Sequence, residues 1–422
     1  MIFKPADVLL PEFCKNSDKM TKWSVVACDQ YTSEPQYWTD TDNFVADSPS
    51  VLRLIVPEIY LNDDDIDNRI KDVNRCMNEY IDMGIFKEYK NTYIYVERTQ
   101  ANGAVRRGIV CCVDLEEYDY SVGSVSKIRA TEGTVISRIP PRLKVRTDAS
   151  IELPHIMMLI DDADRDIIEC NISEKANFEK IYDFELMNNS GHIVGYKMSE
   201  AACELLNKKL SALDDIDAFN SKYGLDVINP LVFAVGDGNH SLATAKAHFN
   251  NIKKELGEAA MEHPSRYALC ELVNLHDDSL VFEAIHRVVF DTDGDKFLEE
   301  LSSMYDISYD SDATGHKVRL VINGEIKDVV ITNSDDCLAV GAMQKFIDDY
   351  CNKYGCEVDY IHGEDVVMSL CADGNNAGII LDAMDKSDLF RSVAQQGALP
   401  RKTFSMGDAW DKRFYVEARK IK

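Results

Sequence analysis

The stretch LVFAVGDGNHSLATAK, Leu231–Lys246, joins an apolar run to a helical pattern across two glycines. Its first five residues predict a buried strand, and a helix is expected to begin at 239–241. Gly236 and Gly238 permit backbone conformations that a Cβ atom would obstruct. A helix start exposes unpaired N–H groups and the positive end of the helix dipole. The stretch therefore predicts an anion site, with phosphate as the favoured ligand.

The polar residues of this turn are the first candidates for the site. Asn239 and Ser241 would add side-chain groups to the backbone donors, and Lys246, about two turns into the helix, would add positive charge. Asp237 and His240 are candidate acid–base residues. The turn matches neither the GxxxxGK[ST] phosphate loop nor the dinucleotide motif GxGxxG. The alternative is a glycine turn with an ordinary helix cap, which needs neither Asp237 nor His240.

A second candidate segment, KIRATEGTVISRIPPRLKVR, is rich in arginine within an otherwise acidic chain. Arg138 and Arg142 are the favoured phosphate-binding residues, since guanidinium groups can hold phosphate or carboxylate through two hydrogen bonds. The segment is expected to be extended, and Pro140–Pro141 argues against one continuous helix across it. Glu132 is a candidate general base if it faces the glycine turn. The alternative is surface ion pairs; if the segment instead folds back beside Gly236–His240, both candidates form one phosphate site.

Strand and helix patterns alternate irregularly along the chain and predict an α+β, or mixed α/β, fold. A hairpin is expected where the strand runs NTYIYVERTQ and VRRGIVCCVDL meet at Asn102–Gly103. Helices are expected over 62–83, with an Asn cap, and over 199–213, with a Ser cap. Strands are expected over 155–160 and within RYALCELVNL, which follows the middle of the chain.

The length of 422 residues favours two or three lobes. With no linker rich in Pro, Gly or Ser to guide the choice, we place one boundary near Glu262–Ser265. This gives a catalytic, phosphate-binding region, 1–262, that includes the glycine turn, and a C-terminal α/β region, 263–422.

Composition limits the classes of function. The formal net charge of −27 argues against a nucleic-acid or anionic-membrane surface. No apolar run approaches the ~18–20 residues of a membrane span, and the N-terminus lacks a signal-peptide pattern, so we expect a cytoplasmic protein. The 12 cysteines include no CxxC pair, and the 9 histidines form no HExxH motif. Reduced thiols and no protein-built metal site are therefore expected.

Five sequence blocks, in order along nearly the whole chain, resemble a bacterial and archaeal family called domain of unknown function 1015 (DUF1015). The blocks are WSVVACDQYTSEPQYW, RATEGTVISR, FAVGDGNHSLATAK, DYIHGEDVV and LPRKTFSMGDAWDKRFYVEARKI. In many relatives the glycine turn reads DGHHR. Here Asn239 and Ser241 replace the first His and the Arg, while Asp237, Gly238 and His240 are kept.

The DGHHR form is in turn similar to the nucleotide-binding turn of the fold shared by ParB, sulfiredoxin and the free-serine kinases. There, a short turn at a helix start holds nucleotide phosphates and a glutamate elsewhere activates the acceptor hydroxyl. The resemblance implies a ParB/sulfiredoxin-like nucleotide-binding lobe with an additional mixed-sheet domain. Family members are often encoded beside enzymes of phosphoserine synthesis, so the implied acceptor is free L-serine or a similar small hydroxyl metabolite.

The resemblance thus implies a small-molecule kinase that uses ATP or ADP with Mg²⁺. Gly236–His240 would hold the phosphates, Lys246 and Arg138 or Arg142 would neutralise charge, and Glu132 or Asp237 would accept the hydroxyl proton. Two alternatives stay open: a phosphoserine phosphatase that uses water as acceptor, and a non-enzymatic nucleotide or metabolite sensor. No nucleic-acid or membrane partner is expected, and the sequence predicts no oligomeric state.

Overall fold

The computed structural model describes residues 2–422 and divides into two compact units. One comprises Met1–Leu280 with Gly407–Lys422, and the other comprises Val281–Met406. This division differs from the predicted boundary near Glu262–Ser265. The strand that follows that point, Tyr267–Asn274, pairs with two strands of the first unit and so cannot begin a second region.

The elements are numbered in chain order. The strands are β1 Phe3–Lys4, β2 Ala6–Pro11, β3 Val25–Val26, β4 Phe86–Thr92, β5 Ile94–Thr99, β6 Val105–Asp114, β7 Ile128–Ala130, β8 Ile151–Glu152, β9 Met157–Ile160, β10 Glu179–Glu185, β11 His192–Lys197, β12 Phe233–Asp237, β13 Tyr267–Asn274, β14 Phe282–Ala284, β15 His286–Val289, β16 Ile307–Ser308, β17 His316–Ile322, β18 Glu325–Ile331, β19 Val358–Ile361, β20 Ala377–Ile380, β21 Phe404–Met406, β22 Phe414–Tyr415 and β23 Arg419–Lys420. The α-helices are α1 Ser17–Trp23, α2 Pro35–Val45, α3 Ile66–Asp82, α4 Ile139–Thr147, α5 Asn171–Glu174, α6 Glu200–Ala212, α7 Ile216–Tyr223, α8 Asn239–Leu256, α9 Gly294–Met304, α10 Ala339–Tyr354, α11 Glu364–Leu370 and α12 Asp388–Gln396.

The main sheet of the first unit mixes parallel and antiparallel pairs. Its strand order is β10-β11-β5-β6-β13-β9-β12-β7, with β1 paired to β6. β12 runs parallel to β7 and antiparallel to β9, and β13 runs parallel to β9 and antiparallel to β6. The predicted mixed α/β class is confirmed.

Side chains of the central strands alternate between the two faces of this sheet. On β6, Ile109, Cys111 and Val113 pack into one buried cluster, whereas Val110 and Cys112 pack into another. Successive residues of a strand point to opposite faces. The adjacent cysteines therefore lie on opposite sides of the sheet, and both are free thiols.

The second unit is built around an antiparallel sheet with the order β16-β18-β17-β20-β15-β19. Helices α9 and α10 contribute Phe297, Phe346 and Tyr350 to its core, where the three rings pack edge to face or tilted. Across residues 2–422, the helices are all too short or too polar to cross a membrane.

Several predicted elements form as expected. β5 and β6 make the hairpin at Asn102–Gly103. α6 begins after Ser199, whose hydroxyl accepts the backbone N–H of Ala202 at 3.3 Å. The helix predicted over 62–83 starts later, at Ile66, because the chain from 61 to 65 forms turns instead.

The arginine segment differs most from its prediction. Pro140–Pro141 does not keep the chain extended: both prolines lie in the first turn of α4, Ile139–Thr147. The first turn of a helix tolerates proline because its N–H groups have no partner within the helix. Arg142 and Arg146 therefore lie on a helix.

Candidate functional site

The predicted strand, turn and helix form at 233–256. β12 ends at Asp237 and α8 begins at Asn239, so Gly238 alone joins them. Gly238 has φ of +79°, and a Cβ atom there would lie 3.0 Å from Ile156 Cα. Both conditions favour glycine over any other residue. The unpaired N–H groups at the start of α8 are thus held rigidly at the end of β12.

The strand beside β12 brings a second polar segment to the same end of the sheet. Ala130 of β7 pairs in parallel with Val235 of β12, and Thr131 Oγ1 donates to Val235 O at 2.7 Å. Glu132 lies two residues beyond Ala130, just as Asp237 lies two residues beyond Val235. The chain that leaves β7 therefore starts its path next to the glycine turn.

That chain then covers His240 and presents the two predicted arginines. The backbone N–H of Val135 donates to His240 Nε2 at 3.3 Å. Arg138 ends a short 3₁₀ turn, and Arg142 lies in the first turn of α4. Arg142 donates to the carbonyl of Arg138 at 2.6 Å and pairs with the carboxylate of Glu58. The guanidinium of Arg142 thus links the 3₁₀ turn that ends at Arg138 to Glu58.

These groups line one open cavity of about 520 Å³. Arg138, Arg142 and His240 contribute to its wall, together with the carboxylates of Asp29 and Glu58. The arginine segment therefore folds back beside the glycine turn, although the two are far apart in sequence. The cavity combines two guanidinium groups, two carboxylates and an imidazole.

A buried histidine supports the floor of this site. His155 Nε2 lies 3.4 Å from Asp29 Oδ2 and 3.3 Å from Ser241 Oγ, and its Nδ1 lies 2.8 Å from the hydroxyl of Tyr415. Gln30 Nε2 donates to Asp29 Oδ1 at 2.9 Å. The His155 side chain is 4% exposed and that of Asp29 is 29% exposed. His155 and Gln30 thus hold the Asp29 carboxylate in place, while part of it remains open to the cavity.

The Asp29–His155 contact favours the charged form of both side chains. Burial alone would raise the pKa of Asp29, but the charge and hydrogen bond of His155, with help from Gln30 and Lys412, hold it well below its ordinary value. Burial alone would lower the pKa of His155, but Asp29, then Asp237, outweigh it, and the pKa is raised. Asp29 is therefore a carboxylate at neutral pH.

His240 has the opposite electrostatic setting. Burial, followed by the positive charges of Arg142 and Arg138, lowers the pKa of His240 to about 4. The imidazole is therefore neutral at neutral pH. Because Nε2 accepts the N–H of Val135, the ring proton lies on Nδ1, which is left as a hydrogen-bond donor.

The C-terminal segment adds a cation to the glycine turn. Lys412 Nζ lies 3.4 Å from Asp237 Oδ2, while Asp237 Oδ1 accepts the backbone N–H of Gly238 at 2.9 Å. The next residue, Arg413, is buried and binds Glu271 Oε2 at 2.7 Å, which anchors the segment. Lys412 is therefore positioned by a fixed part of the chain.

Not every predicted residue joins the cavity. Lys246 Nζ donates to the carbonyl of Leu115 at 2.8 Å and lies 3.5 Å from Glu116 Oε1, so its charge is used away from the glycine turn. Gly236 is a residue of β12, and Asn239 is the first residue of α8. Both are partly buried beside the turn.

Four of the residues found here were not assigned to the site from the sequence: Asp29, Glu58, His155 and Lys412. Asp29 had a local signal, since it follows the short apolar run SVVAC, which contains β3. Lys412 belongs to a basic cluster near the end of the chain, with Arg401, Lys402 and Arg413. Glu58 and His155 had no signal, because each reaches the site through pairing between distant segments. Carboxylates such as those of Asp29 and Glu58 are the ligand type that Mg²⁺ prefers. Across residues 2–422, no group of three or more His, Cys, Asp or Glu side chains is arranged to hold a metal ion.

Fold and cavity together define a mixed α/β protein with an open cavity, lined by two arginines and two carboxylates, at a helix N-terminus. The chain belongs to the family described as protein of unknown function (DUF1015), whose profile matches residues 12–350. No curated protein sequence matches the chain.

Solved structures similar to this chain include three of very low sequence identity. A conserved hypothetical protein from Pyrococcus furiosus has 10% identity over 74% of this chain and 95% of its own, with a TM-score of 0.35. A free serine kinase variant in complex with ADP has 11% identity over 74% of this chain and 92% of its own, with a TM-score of 0.39. SbnI from Staphylococcus aureus has 10% identity over 73% of this chain and 82% of its own, with a TM-score of 0.35.

Proposed function

We propose that this chain is a phosphotransferase that moves a phosphoryl group from a nucleotide, ATP or ADP, to the hydroxyl of a small metabolite. The observation that carries the proposal is the meeting of Arg138, Arg142, His240 and Asp29 at one cavity. Phosphoryl transfer needs cations against the phosphate oxygens and a group that orients the attacking hydroxyl. Free L-serine is the first acceptor to test, because the glycine turn resembles that of the free-serine kinases and family members are often encoded beside enzymes of phosphoserine synthesis.

The phosphates would bind at the start of α8. Its unpaired N–H groups follow Gly236 and Gly238, and Asn239 and Ser241 flank them. Arg138 and Arg142 would neutralise the phosphate charge, and the neutral His240 would donate from Nδ1. The sequence assigned to Lys246 the role of neutralising phosphate charge. In this proposal Lys412, which lies at the turn, takes that role instead.

Asp29 would accept the proton of the acceptor hydroxyl. In this step the acceptor oxygen forms a bond to phosphorus, the bond from phosphorus to the nucleotide oxygen breaks, and the hydroxyl proton passes to Asp29. A nucleotide with one phosphate fewer leaves. Asp237 is a weaker candidate for this role, since its carboxylate is held by Gly238 and Lys412. Glu132 lies at the same end of the sheet and is the alternative base.

Mg²⁺ would accompany the nucleotide and neutralise charge on the phosphate oxygens. The carboxylates of Asp29 and Glu58 and the hydroxyl of Thr32 supply oxygen atoms at the cavity wall. These are ligands of the kind the ion takes, so the residues present fit it.

The test is a binding screen followed by a transfer assay. ATP, ADP, pyrophosphate, L-serine and phosphoserine are added singly, and a true ligand raises the midpoint of thermal unfolding by mass action. Label from the terminal phosphate of the nucleotide should then appear in phosphoserine. Release of phosphate from phosphoserine without nucleotide would favour a phosphatase, and a nucleotide-dependent shift with no transfer to any hydroxyl compound would favour a sensor.

Two variants make the binding arm specific. Arg138→Ala should weaken nucleotide binding about tenfold, the equivalent of about 1.4 kcal/mol, because a phosphate oxygen loses its guanidinium partner. Lys246→Ala should leave the affinity unchanged, since Lys246 pairs with Glu116. Equal effects of the two substitutions would contradict the placement of the phosphates.

A further inference from the structure

A second cavity adjoins the first. Its volume is about 150 Å³, and it shares Glu58, Leu61 and Arg142 with the cavity that holds Asp29 and His240. The paired side chains of Arg142 and Glu58 therefore border both spaces. A molecule that occupied both cavities would pass this ion pair.

The wall of this second cavity is mainly aliphatic. Its side chains come from α3, from α4 and from the chains on either side of them, and include Leu54, Val56, Met77, Val145, Ala149 and Ile151. Apart from Val145, these are all less than 9% exposed. Water in such a space gains few hydrogen bonds, whereas an apolar group is favoured there.

Most polar groups in this wall already bond within the protein, and the exception is Arg146 Nε, which is buried without a hydrogen-bond partner. Tyr415 binds His155 at 2.8 Å, Thr244 donates to the carbonyl of His240 at 2.7 Å, and Arg146 donates to Glu152 at 2.5 Å. A nucleobase would place ring nitrogens and an amino group against aliphatic side chains, which costs free energy when they lack partners. The wall therefore favours a hydrocarbon group over a base.

We propose that the second cavity receives an apolar substituent of the hydroxyl acceptor, so that the preferred acceptor is a hydroxy acid or hydroxy amino acid with a branched aliphatic or phenyl group. This inference rests on the proposed function. A space of about 150 Å³ holds a group the size of benzene. With that group in place, the polar end of the acceptor lies beside Arg142 and its hydroxyl faces the cavity that Asp29 lines.

The first experiment compares L-serine with β-phenylserine, which adds a phenyl group to the same polar end. The midpoint of thermal unfolding is followed against the concentration of each, with and without ADP. We expect β-phenylserine to act at a concentration at least about tenfold lower, because burial of the ring adds binding free energy. Equal concentrations, or a preference for L-serine, would overturn the inference.

The second experiment fills the cavity. Val145→Phe places a ring in the second cavity and not in the first, since Val145 lines only the former. The variant should lose the preference for β-phenylserine and keep the wild-type response to ADP. Ala149→Leu serves the same purpose if Val145→Phe does not fold, and Leu205→Phe, on the exposed face of α6, is the control for an added ring.

The outcomes separate this inference from the proposed function. A weakened ADP response in Val145→Phe would assign the second cavity to the nucleobase and contradict the inference alone. A wild-type protein that responds to β-phenylserine but to no nucleotide would contradict phosphoryl transfer while the apolar subsite stands. A response to nucleotide with no preference between the two acceptors would leave the function and remove the subsite.

Discussion

The two ends of β9 carry the same pair of side chains in different surroundings. Before the strand, His155 Nε2 lies 3.4 Å from Asp29 Oδ2. After it, His276 Nε2 lies 2.6 Å from Asp161 Oδ1. Both aspartates pair with a histidine at an end of the same sheet, so the pair alone cannot mark a functional site.

The carboxylate of Asp161 is fully used by the protein. Tyr223 donates its hydroxyl to Asp161 Oδ2, and Lys222 Nζ lies 3.0 Å from the same oxygen. Burial would raise the pKa of Asp161, but the hydrogen bonds of Tyr223, His276 and Lys222 outweigh it and lower the pKa. This end of the strand is a closed structural cluster.

Asp29 differs in what lies in front of it. Its histidine is buried, but the carboxylate borders an open cavity where Arg138 and Arg142 also lie. Here a fixed carboxylate and two arginines face an open cavity. Such an arrangement stabilises a bound ligand more than it stabilises the fold. The open cavity and its two arginines, and not the His–Asp pair, therefore distinguish the candidate site.

The largest expected effect comes from removing the charge of each aspartate in turn. Asp29→Asn should lower turnover by about 1000-fold, because the amide keeps the shape of the side chain but cannot accept the hydroxyl proton. The measurement is turnover per folded protein, with the folded fraction taken from circular dichroism.

The matched control is Asp161→Asn. It should keep turnover within about twofold and lose about 1–3 kcal/mol of stability, since the buried partners of Asp161 lose a charged acceptor. If both variants lost turnover equally, the two ends of β9 would be functionally alike and the site assignment would fail.

A smaller effect is expected from the glycine turn itself. His240→Ala and Asp237→Asn should each cut turnover by about 100-fold, as is typical for loss of a group that donates to or orients charge in the transition state. Folding should be nearly unchanged, because both side chains are only partly buried. Turnover and the midpoint of urea unfolding are measured on the same samples.

His286→Ala provides the reverse case. His286 is buried in the second unit, and its Nδ1 accepts the backbone N–H of Leu381 at 3.3 Å. The substitution should cost about 1–3 kcal/mol and leave turnover of the folded fraction intact. Turn variants with normal turnover would reduce the turn to a structural connection.

Local patterns allowed much of the fold to be predicted. The hairpin of β5 and β6, the passage from β12 to α8 and the capped helix α6 each depend on residues that are neighbours in sequence. The arginine segment is not one continuous helix, as Pro140–Pro141 predicted, but its last part is helical and not extended. Proline in a first helical turn and proline in an extended segment have the same local signature. The boundary near Glu262–Ser265 failed because strand pairing is decided by distant partners.

The site was predictable only where one segment supplies it. The glycine turn and the arginine segment were both visible as patterns, but the network of Asp29, His155 and Tyr415 joins three segments that the sequence does not connect. Lys246 shows the limit of helical spacing. Its position on α8 follows from the sequence pattern. The direction of its side chain, however, is decided by Glu116, which lies on another part of the chain.

The smallest expected effect is on the pH dependence of stability. It is measured by comparing the wild-type protein, which has the Asp29–His155 pair, with a variant that lacks it. The pKa of Asp29 is held below its unfolded value of about 3.9, so its contribution is present above that pH and is lost as the pH falls further. The pKa of His155 is raised above its unfolded value of about 6.5. Its contribution is complete below pH 6.5 and declines as the pH rises through the folded value.

In His155→Gln the amide can replace hydrogen bonds but carries no charge. The loss of stability above pH 6.5 that His155 causes should therefore disappear in this variant. Each unit of pKa difference corresponds to about 1.4 kcal/mol, which for a unit of this size is a change of a few degrees in Tm. Tm is measured at intervals from pH 6 to pH 9 for wild type and variant, and the difference between them should narrow as the pH rises. A constant Tm difference across that range would show that His155 is neutral in the folded protein. Asp29 and His155 would then form a simple hydrogen bond and not an ion pair.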